Sequence, residues 1–458
     1  MKKTILTAGL LGFGATKTLQ YSSENYPEET HRYFWSKIVN KYYNGSPKNC
    51  THKNFDKVHY LASKIMKYRL FPKVQVDDLE VDLSIKYGEY TFKNPLGSAA
   101  GIDKASVMID GLSNLGFGFV EVGDLSLEPE KWTEKPAYID CYQKGIIERK
   151  SVIWKNVYYN SGIQVAVANM WNRQNKILDK KFTPISDTLV GLTIVPSKTT
   201  IDSIPYLIKS DYEQCIEVIV EFSDYIVINI TERDKSKRKV AALLREENEL
   251  RKLIKMVRNK LIMTLGKVAA LEYSKIDPQS SQNEVIDISQ EVRKVIYRNS
   301  LISKNNVPLI FLKVDSYLSE EEYKTIAKIC EEEHVDGIVV GSTVPINVGL
   351  KDKSQRIFKE EVALGGAGGE ITQKYSNSAL KTLYTLTKGN KLLISNGGIS
   401  TGKDMYERMS NGANLVQIYS ALFLRGPYAA KYILEEFSQI LKNNNETAQS
   451  IIGKNSKV

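Results

Sequence analysis

Short apolar, often β-branched runs recur along most of this chain, each bounded by glycine, proline or polar turns. Eight such runs read as strands: Leu96–Ala100, Phe117–Val122, Leu189–Val195, Tyr225–Ile230, Leu309–Val314, Gly337–Val340, Leu392–Ser395 and Leu415–Tyr419. Amphipathic stretches at Ser106–Leu115, Tyr212–Phe222, Glu320–Glu333, Ser376–Thr387 and Asp404–Met409 fill gaps between them. Strand–helix alternation belongs to the α/β class, as an open doubly wound sheet or a closed (β/α)8 TIM barrel.

The last two runs decide between the two. Ser395-Asn396-Gly397-Gly398-Ile399 and Asn414-Leu415-Val416-Gln417-Ile418-Tyr419-Ser420 are apolar runs that end in tight, small-residue loops. A strand ending in Gly-Gly lets backbone N–H groups approach a phosphate with no Cβ in the way. Phosphate sites after strands seven and eight recur in (β/α)8 barrels. Alone, the pair reads equally well as two ordinary strand–turn junctions. After six earlier strands it favours the barrel.

The N-terminal pattern differs. Residues 4–16 carry no charge, and beyond them only Lys17 interrupts an uncharged stretch to Ser23. Twenty helical residues span roughly 30 Å, enough to cross a bilayer. Gly9, Gly12, Gly14, Ala8 and Ala15 suit a closely packing membrane helix. A cleaved signal peptide is the rival, since Met-Lys-Lys precedes a short apolar core. No small-x-small cleavage site leads into a disulfide-bearing domain, which favours the anchor. From residue 24 to 75 the chain reads as two amphipathic helices. Tyr33, Phe34, Trp35, Ile38, Val39, Tyr42 and Tyr43 make a broad aromatic side suited to a membrane–water interface. The expected organisation is an anchor over 1–23, a small helical vestibule over 24–75, a barrel over 76–440 and a polar C-terminal tail over 441–458. A plain helical cap on the barrel is the other reading of 24–75.

With 458 residues there is room for one barrel of about 250–350 residues plus these appendages. Cys50, Cys141, Cys215 and Cys330 form no CxxC pair, and the four histidines have no metal-ligand spacing. A disulfide framework, a zinc site and a metal hydrolase are therefore disfavoured, and no metal is expected. Of the formal charge of +10, much sits in Glu232–Lys260, where 11 Lys/Arg face 5 Asp/Glu. Leu243, Leu244, Leu250 and Leu253 give that stretch an apolar stripe. Without aromatic interleaving or a reader motif, a solvated helix face is preferred to nucleic-acid binding. The interval from Thr231 to Val307 is longer than one crossover needs, and its polar segment Asp277–Asn283 reads as part of an insertion over about 265–305.

Several segments, in order, resemble the membrane-bound, quinone-reducing class of dihydroorotate dehydrogenases. They are Asn94-Pro95-Leu96-Gly97-Ser98-Ala99-Ala100-Gly101-Ile102-Asp103-Lys104, Gly116–Gly123, Asn229, Leu312-Lys313, Gly365–Gly369, Asn396–Ser400 and Leu415–Leu422. The resemblance implies an FMN-binding barrel that oxidises dihydroorotate to orotate, a step of pyrimidine biosynthesis, and passes electrons to a membrane quinone. It also implies attachment to the lipid bilayer of the mitochondrial inner membrane by the single N-terminal anchor. Gly369, Gly398, Tyr419 and Ser420 would hold the phosphate, and Ala100 and Gly101 would let the flavin ring lie close. Lys313 would face the N1–C2=O edge, where a cation stabilises the reduced ring. Lys104 would lie between flavin and substrate as a catalytic residue paired with the substrate carboxylate. Asp124, Thr193, Asn229 and Val340 fall at the remaining cofactor positions.

The chain departs from the family around the substrate. Where the family has Asn-x-Ser-Ser-Pro-Asn, this chain reads Asn229-Ile230-Thr231-Glu232-Arg233-Asp234, so Glu232 stands in place of the serine base. Asn-Arg-Tyr-Gly-Phe-Asn becomes Lys155-Asn156-Val157-Tyr158-Tyr159-Asn160, and Asn-Thr after the sixth strand becomes Gly341-Ser342. Thr193 replaces a flavin-contacting asparagine and Asp124 a serine. The substrate set is thus Lys104, Lys155, Tyr159, Asn229, Asp234, Gly341 and Ser342. Each lost polar contact costs about 1–3 kcal/mol. Two readings follow: a dehydrogenase acting on dihydroorotate or a related small acid, or a catalytically impaired, flavin-binding or empty, membrane-attached barrel.

Overall fold

The computed structural model describes residues 62–64, 66–67, 79, 81–130, 138–140, 151–154, 160–178, 188–203, 207–231, 244–276, 307–345 and 366–456. Eight parallel strands close into a barrel: β1 Leu96–Asp103, β2 Phe119–Leu125, β3 Leu189–Ile194, β4 Tyr225–Asn229, β5 Leu309–Val314, β6 Gly337–Val340, β7 Leu392–Asn396 and β8 Leu415–Ile418. They follow chain order around the ring, and β8 returns to β1 through Val416↔Leu96 and Gln417↔Gly97. All eight expected strands are present. The sequence runs are almost wholly apolar because the strands are covered on both faces, by the barrel interior and by helices outside.

The bottom of the barrel is filled by a size alternation. Gly97, Gly191 and Gly337 on β1, β3 and β6 sit opposite Phe119, Tyr225 and Phe311 on β2, β4 and β5. A Cβ on Gly97 would stand 2.3 Å from the Phe119 ring, and one on Gly191 2.0 Å from that of Tyr225. The three aromatic rings lie in sequence, with centroids 6.4 and 5.1 Å apart. An antiparallel hairpin, Ile85–Tyr87 with Tyr90–Phe92, closes this end. Phe92 meets Phe119 edge-on at 5.5 Å, and the Tyr87 and Tyr90 hydroxyls donate to the carbonyls of Asp336 and Val307. With the N-terminal end plugged, ligand access is left to the C-terminal end of the strands.

The outer helices match the amphipathic stretches, with one late start. The expected helix from Ser106 begins at Ile109. The buried Asp103 carboxylate takes the amides of Ala105, Val107 and Met108, which holds the intervening residues in a turn. Residues 62–64 and 66–67, within the expected vestibule, are helical and pack on this helix, where a Cβ at Gly111 would stand 2.7 Å from the Met66 backbone. Residues 1–61, including the expected anchor, and residues 65 and 68–75 of the expected vestibule lie outside the described residues. Among the described residues no helix is long and apolar enough to cross a membrane.

The basic stretch contributes the helix Glu247–Ile276, which extends into the expected insertion; residues 277–306 lie outside the described residues. Leu244, Leu250, Leu253, Val257 and Leu261 are buried against the barrel. Its cations meet carboxylates of neighbouring helices: Arg251 meets Glu332 and Glu333, and Lys260 meets Glu217. The expected polar tail is a correction. The helix Ala429–Asn444 runs on past 441, and Ala448 and Ile451 are fully buried beyond it. Gly453 and Asn455 donate backbone hydrogen bonds to Met409 and Ser410. The apolar residues spaced through the segment pull it onto the barrel's outer layer. Cys215 and Cys330 are free and buried, and Cys50 and Cys141 lie outside the described residues.

Candidate active site at the barrel mouth

The C-terminal strand ends gather most of the expected cofactor residues. β1 contributes Ala100 and Gly101, with Lys104 directly after it; β2 contributes Asp124, β3 Thr193, β4 Asn229, β5 Lys313 and β6 Val340. Gly398 follows β7, while Tyr419 and Ser420 follow β8. Gly369 ends the strand Gly366–Gly369 of a separate four-stranded antiparallel sheet formed with Val344–Pro345, Ser151–Trp154 and Tyr138–Asp140. Of the expected substrate and catalytic residues, Lys155, Tyr159, Glu232 and Asp234 lie outside the described residues.

The side expected to hold a phosphate is made of backbone. Gly369, Gly397 and Gly398 have φ of 90°, 98° and 79°, the region where only glycine sits without strain. A Cβ on Gly398 would stand 2.8 Å from the Gln373 Cα and 2.9 Å from its amide nitrogen. That amide begins the helix Gln373–Leu386, so the Gly-Gly loop lies against the positive end of a helix dipole. Gly101 (φ 100°) presses on the Tyr419 ring, which a Cβ would approach to 3.0 Å. Side chains lock these loops from behind. Asp404 accepts from the amides of Ser400 and Thr401 at 2.9 Å and from Gln373 Nε2 at 2.8 Å. Arg408 and Arg425 donate to carbonyls of Gly397 and Ser400.

The opposite side is made of side chains, and its centre is Glu121 on β2, fully buried inside the barrel. Lys313 Nζ lies 3.7 Å from Glu121 Oε1, with both side chains nearly or wholly out of solvent. Thr193 Oγ1 donates to the same oxygen at 2.6 Å, and Gln417 Nε2 donates to Oε2. A buried cation beside a carboxylate that takes two further donors is a buried polar network, not a solvent-exposed strand-end charge, and it leaves Gln417 Oε1 without a hydrogen-bond partner. Thr193, expected against the cofactor, therefore spends its hydroxyl on Glu121. Glu121 and Gln417 were missed as site residues, although each breaks an apolar strand run, in Phe-Val-Glu-Val and Leu-Val-Gln-Ile.

Asn229 is equally committed. Its Nδ2 donates to Asp124 Oδ1 at 3.1 Å, and its Oδ1 accepts from the Thr231 amide at 2.9 Å and hydroxyl at 2.7 Å. Asn160, retained from the family's asparagine-rich loop, is buried and binds Ser126 and the Gly162 amide, which ties its own loop down. Gly341 has φ 119°, and a Cβ there would stand 2.1 Å from the Asn396 carbonyl oxygen. Its glycine is a backbone requirement as well as a lost amide; Ser342 beside it is partly exposed. Behind Lys104, burial pushes the Asp103 carboxyl up, and the amides of Met108, Val107, Ala105 and Ser106 pull it back down.

The comparisons agree with this geometry. A family model described as dihydroorotate dehydrogenase matches residues 82–441. The chain is 26% identical over 401 residues to the mitochondrial quinone-dependent dihydroorotate dehydrogenase of Mus musculus, covering 87% of this chain and 86% of that protein. It is 28% identical over 368 residues to the quinone-dependent enzyme of Actinobacillus pleuropneumoniae, covering 79% of this chain and 90% of that one. A solved Eimeria tenella dihydroorotate dehydrogenase in complex with ferulenol shares the fold, with a TM-score of 0.71 and 22% identity over 92% of this chain and 98% of that one. From the eight-stranded closure to the glycine loops after the last strands, the chain belongs to the dihydroorotate dehydrogenase family.

Proposed function

We propose that this protein oxidises dihydroorotate, or a closely related small acid, with bound FMN, and passes the electrons to a quinone at the mitochondrial inner membrane. The observation that carries the reading is the pairing, at one barrel mouth, of a glycine-built anion cradle with a buried lysine, Lys313. The residues fit the flavin. Gly398 lies so close to the helix N-terminus at Gln373 that a Cβ would collide with it, Gly369 holds a positive φ, and Gly101 keeps the first strand close to Tyr419. FMN would be held by Gly369, Gly398, Tyr419 and Ser420 at its phosphate and by Ala100, Gly101 and Lys313 along its ring. When bound, the flavin supplies a two-electron acceptor.

The chain's own residues do the rest. Lys313 places positive charge at the ring edge, and Glu121 fixes where that ammonium sits. Lys104, after β1, binds the substrate carboxylate; Asp103 sets its loop by taking three amides. Glu232 takes the proton, as a carboxylate in a partly buried setting is competent to do near neutral pH. The quinone and the bilayer are met by the helices of 24–75 and the anchor of 1–23. Nucleic acid is not a partner in this reading.

A second reading is a non-catalytic, membrane-attached relative. The commitment of Asn229 to Asp124 and Thr231 favours it, because an amide already satisfied offers less to a pyrimidinedione. One experiment separates the two. Purified protein is scanned in the visible range, then mixed with dihydroorotate, then with a soluble ubiquinone analogue. Flavin bands that bleach and return support the enzyme. Bands that persist unbleached support the second reading, and a colourless protein sinks the flavin assignment.

A further inference from the structure

Arg408 lies on the helix Gly402–Ser410, between β7 and β8, and its side chain is fully buried. Its Nη1 donates to Ser395 Oγ at 3.0 Å, and its Nη2 donates to the carbonyl oxygens of Gly397 at 2.8 Å and Gln373 at 3.1 Å. All three acceptors are neutral, and Nε has no hydrogen-bond partner. Asp404 and Glu407 are close enough to act on its charge. Neither carboxylate hydrogen-bonds to it: Asp404 takes its bonds from Gln373, Ser400 and Thr401, and Glu407 from Asn377, so both act on Arg408 through space only. A full charge held away from water against neutral oxygens is costly unless an anion joins it. Burial pulls this guanidinium down to about 10, even with Glu407 and Asp404 drawing it the other way.

The acceptors belong to the walls of the cradle. Ser395 and Gly397 are on the strand end and loop of β7, and Gln373 opens the helix beside them. The Gly397–Gly398 peptide is trans and planar, so its carbonyl and its N–H point in opposite directions. With the carbonyl turned to Arg408, the Gly398 N–H faces away from the guanidinium. Arg408 thus touches both the Gly-Gly loop and the start of the adjoining helix through backbone carbonyls.

We propose that Arg408 is a positioning residue for the cofactor's phosphate, holding the Gly398 N–H turned into the cradle and supplying from behind it the positive charge that the phosphate dianion completes. The proposal rests on the FMN reading and assigns a role to a side chain that does not touch the ligand. Because the partner is the phosphate, the effect must depend on whether the flavin carries one.

The test compares FMN with riboflavin, which shares the ring and ribityl chain and lacks the phosphate. Full-length wild type, Arg408→Met and Arg408→Lys are each equilibrated with either flavin, and binding is read from quenching of flavin fluorescence. Arg408→Met should weaken FMN by about 10- to 100-fold, the range of a hydrogen bond to or from a charged group, and leave riboflavin within about threefold. Arg408→Lys, which keeps the charge, should retain most of the preference for FMN. Equal weakening of both flavins would reduce Arg408 to a structural tie and overturn the proposal, as would unchanged FMN affinity in Arg408→Met. If Arg408→Met does not fold, Arg408→Lys decides: a preference for FMN kept within about tenfold of wild type supports the role, and its collapse overturns it. A wild-type protein that binds neither flavin defeats the cofactor assignment itself, an outcome separate from all of these.

Discussion

The two halves of the barrel mouth are built on opposite plans. Around β7 and β8 the proposed ligand-facing groups are backbone amides, and side chains such as Asp404, Arg408 and Arg425 tie the loops' carbonyls and turns together. Around β2 to β5 the side chains themselves face the site, and several are occupied with one another, as in Glu121 with Lys313, Thr193 and Gln417, or Asn229 with Asp124 and Thr231. A backbone site tolerates sequence drift so long as its glycines stay, because the donors are carried by every residue. A side-chain site changes chemistry with each substitution. That difference fits a chain whose glycine loops resemble the family's while the loops expected around the substrate depart from it.

The comparison can be broken at its strongest point first. Gly398→Asp puts a side chain onto the Gln373 backbone and a carboxylate where the phosphate belongs. Purified variant should carry no flavin by absorbance; a yellow variant would show that the cradle is elsewhere. Next in size is the proposed base. Glu232→Gln should keep its flavin and lose at least the 10²–10⁴-fold that a positioned base contributes to reduction by substrate, measured by stopped-flow bleaching. Glu232→Ser should recover little, since Lys155, Asp234 and Gly341 would still misread orotate. Unchanged bleaching in Glu232→Gln would move the role to Thr231.

The family's missing asparagine gives a sharper contrast. Gly341→Asn restores an amide in name, yet its Cβ must fit 2.1 Å from a carbonyl oxygen at φ 119°. It should destabilise the protein by about 2 kcal/mol or more, read as a fall in unfolding midpoint, with no gain in orotate binding. Tighter orotate binding at unchanged stability would mean that the pocket can be rebuilt one residue at a time. The smallest effect belongs outside the mouth. Lys260→Ala breaks an exposed pair with Glu217 and should cost less than about 1 kcal/mol in denaturant unfolding.

The fold was legible because its strands carry their own signal. Each of the eight is a buried run that ends in a turn residue, and local sequence suffices to see it. The bounds slipped where a distant or polar contact intervened: β1 runs on to Asp103, and the next helix waits until Ile109 because Asp103 holds the amides in between. The site was legible where it is backbone, since glycine is the residue that such geometry leaves. It was less so where function depends on pairing. Glu121 and Gln417 are 296 residues apart and meet only when β8 closes onto β1. Arg408 reads in sequence as one more charge on an amphipathic helix, and nothing local marks it as buried. The segment after Asn444 reads as polar because its few apolar residues are spread out, and those few are the ones that pack.

The pairing of β8 with β1 also sets a timetable for biosynthesis. A chain emerging from the ribosome presents β1 long before β8, and β1 has one open edge until Leu415–Ile418 arrives. Ring closure, the Glu121–Gln417 contact and the Tyr419 ring over Gly101 all wait for that moment. Until then an unpaired strand edge and the apolar faces of the earlier helices stay uncovered, a surface that holding chaperones recognise. Uptake of the proposed FMN would therefore be a late event, and a translation arrest anywhere before β8 yields a product whose barrel cannot close.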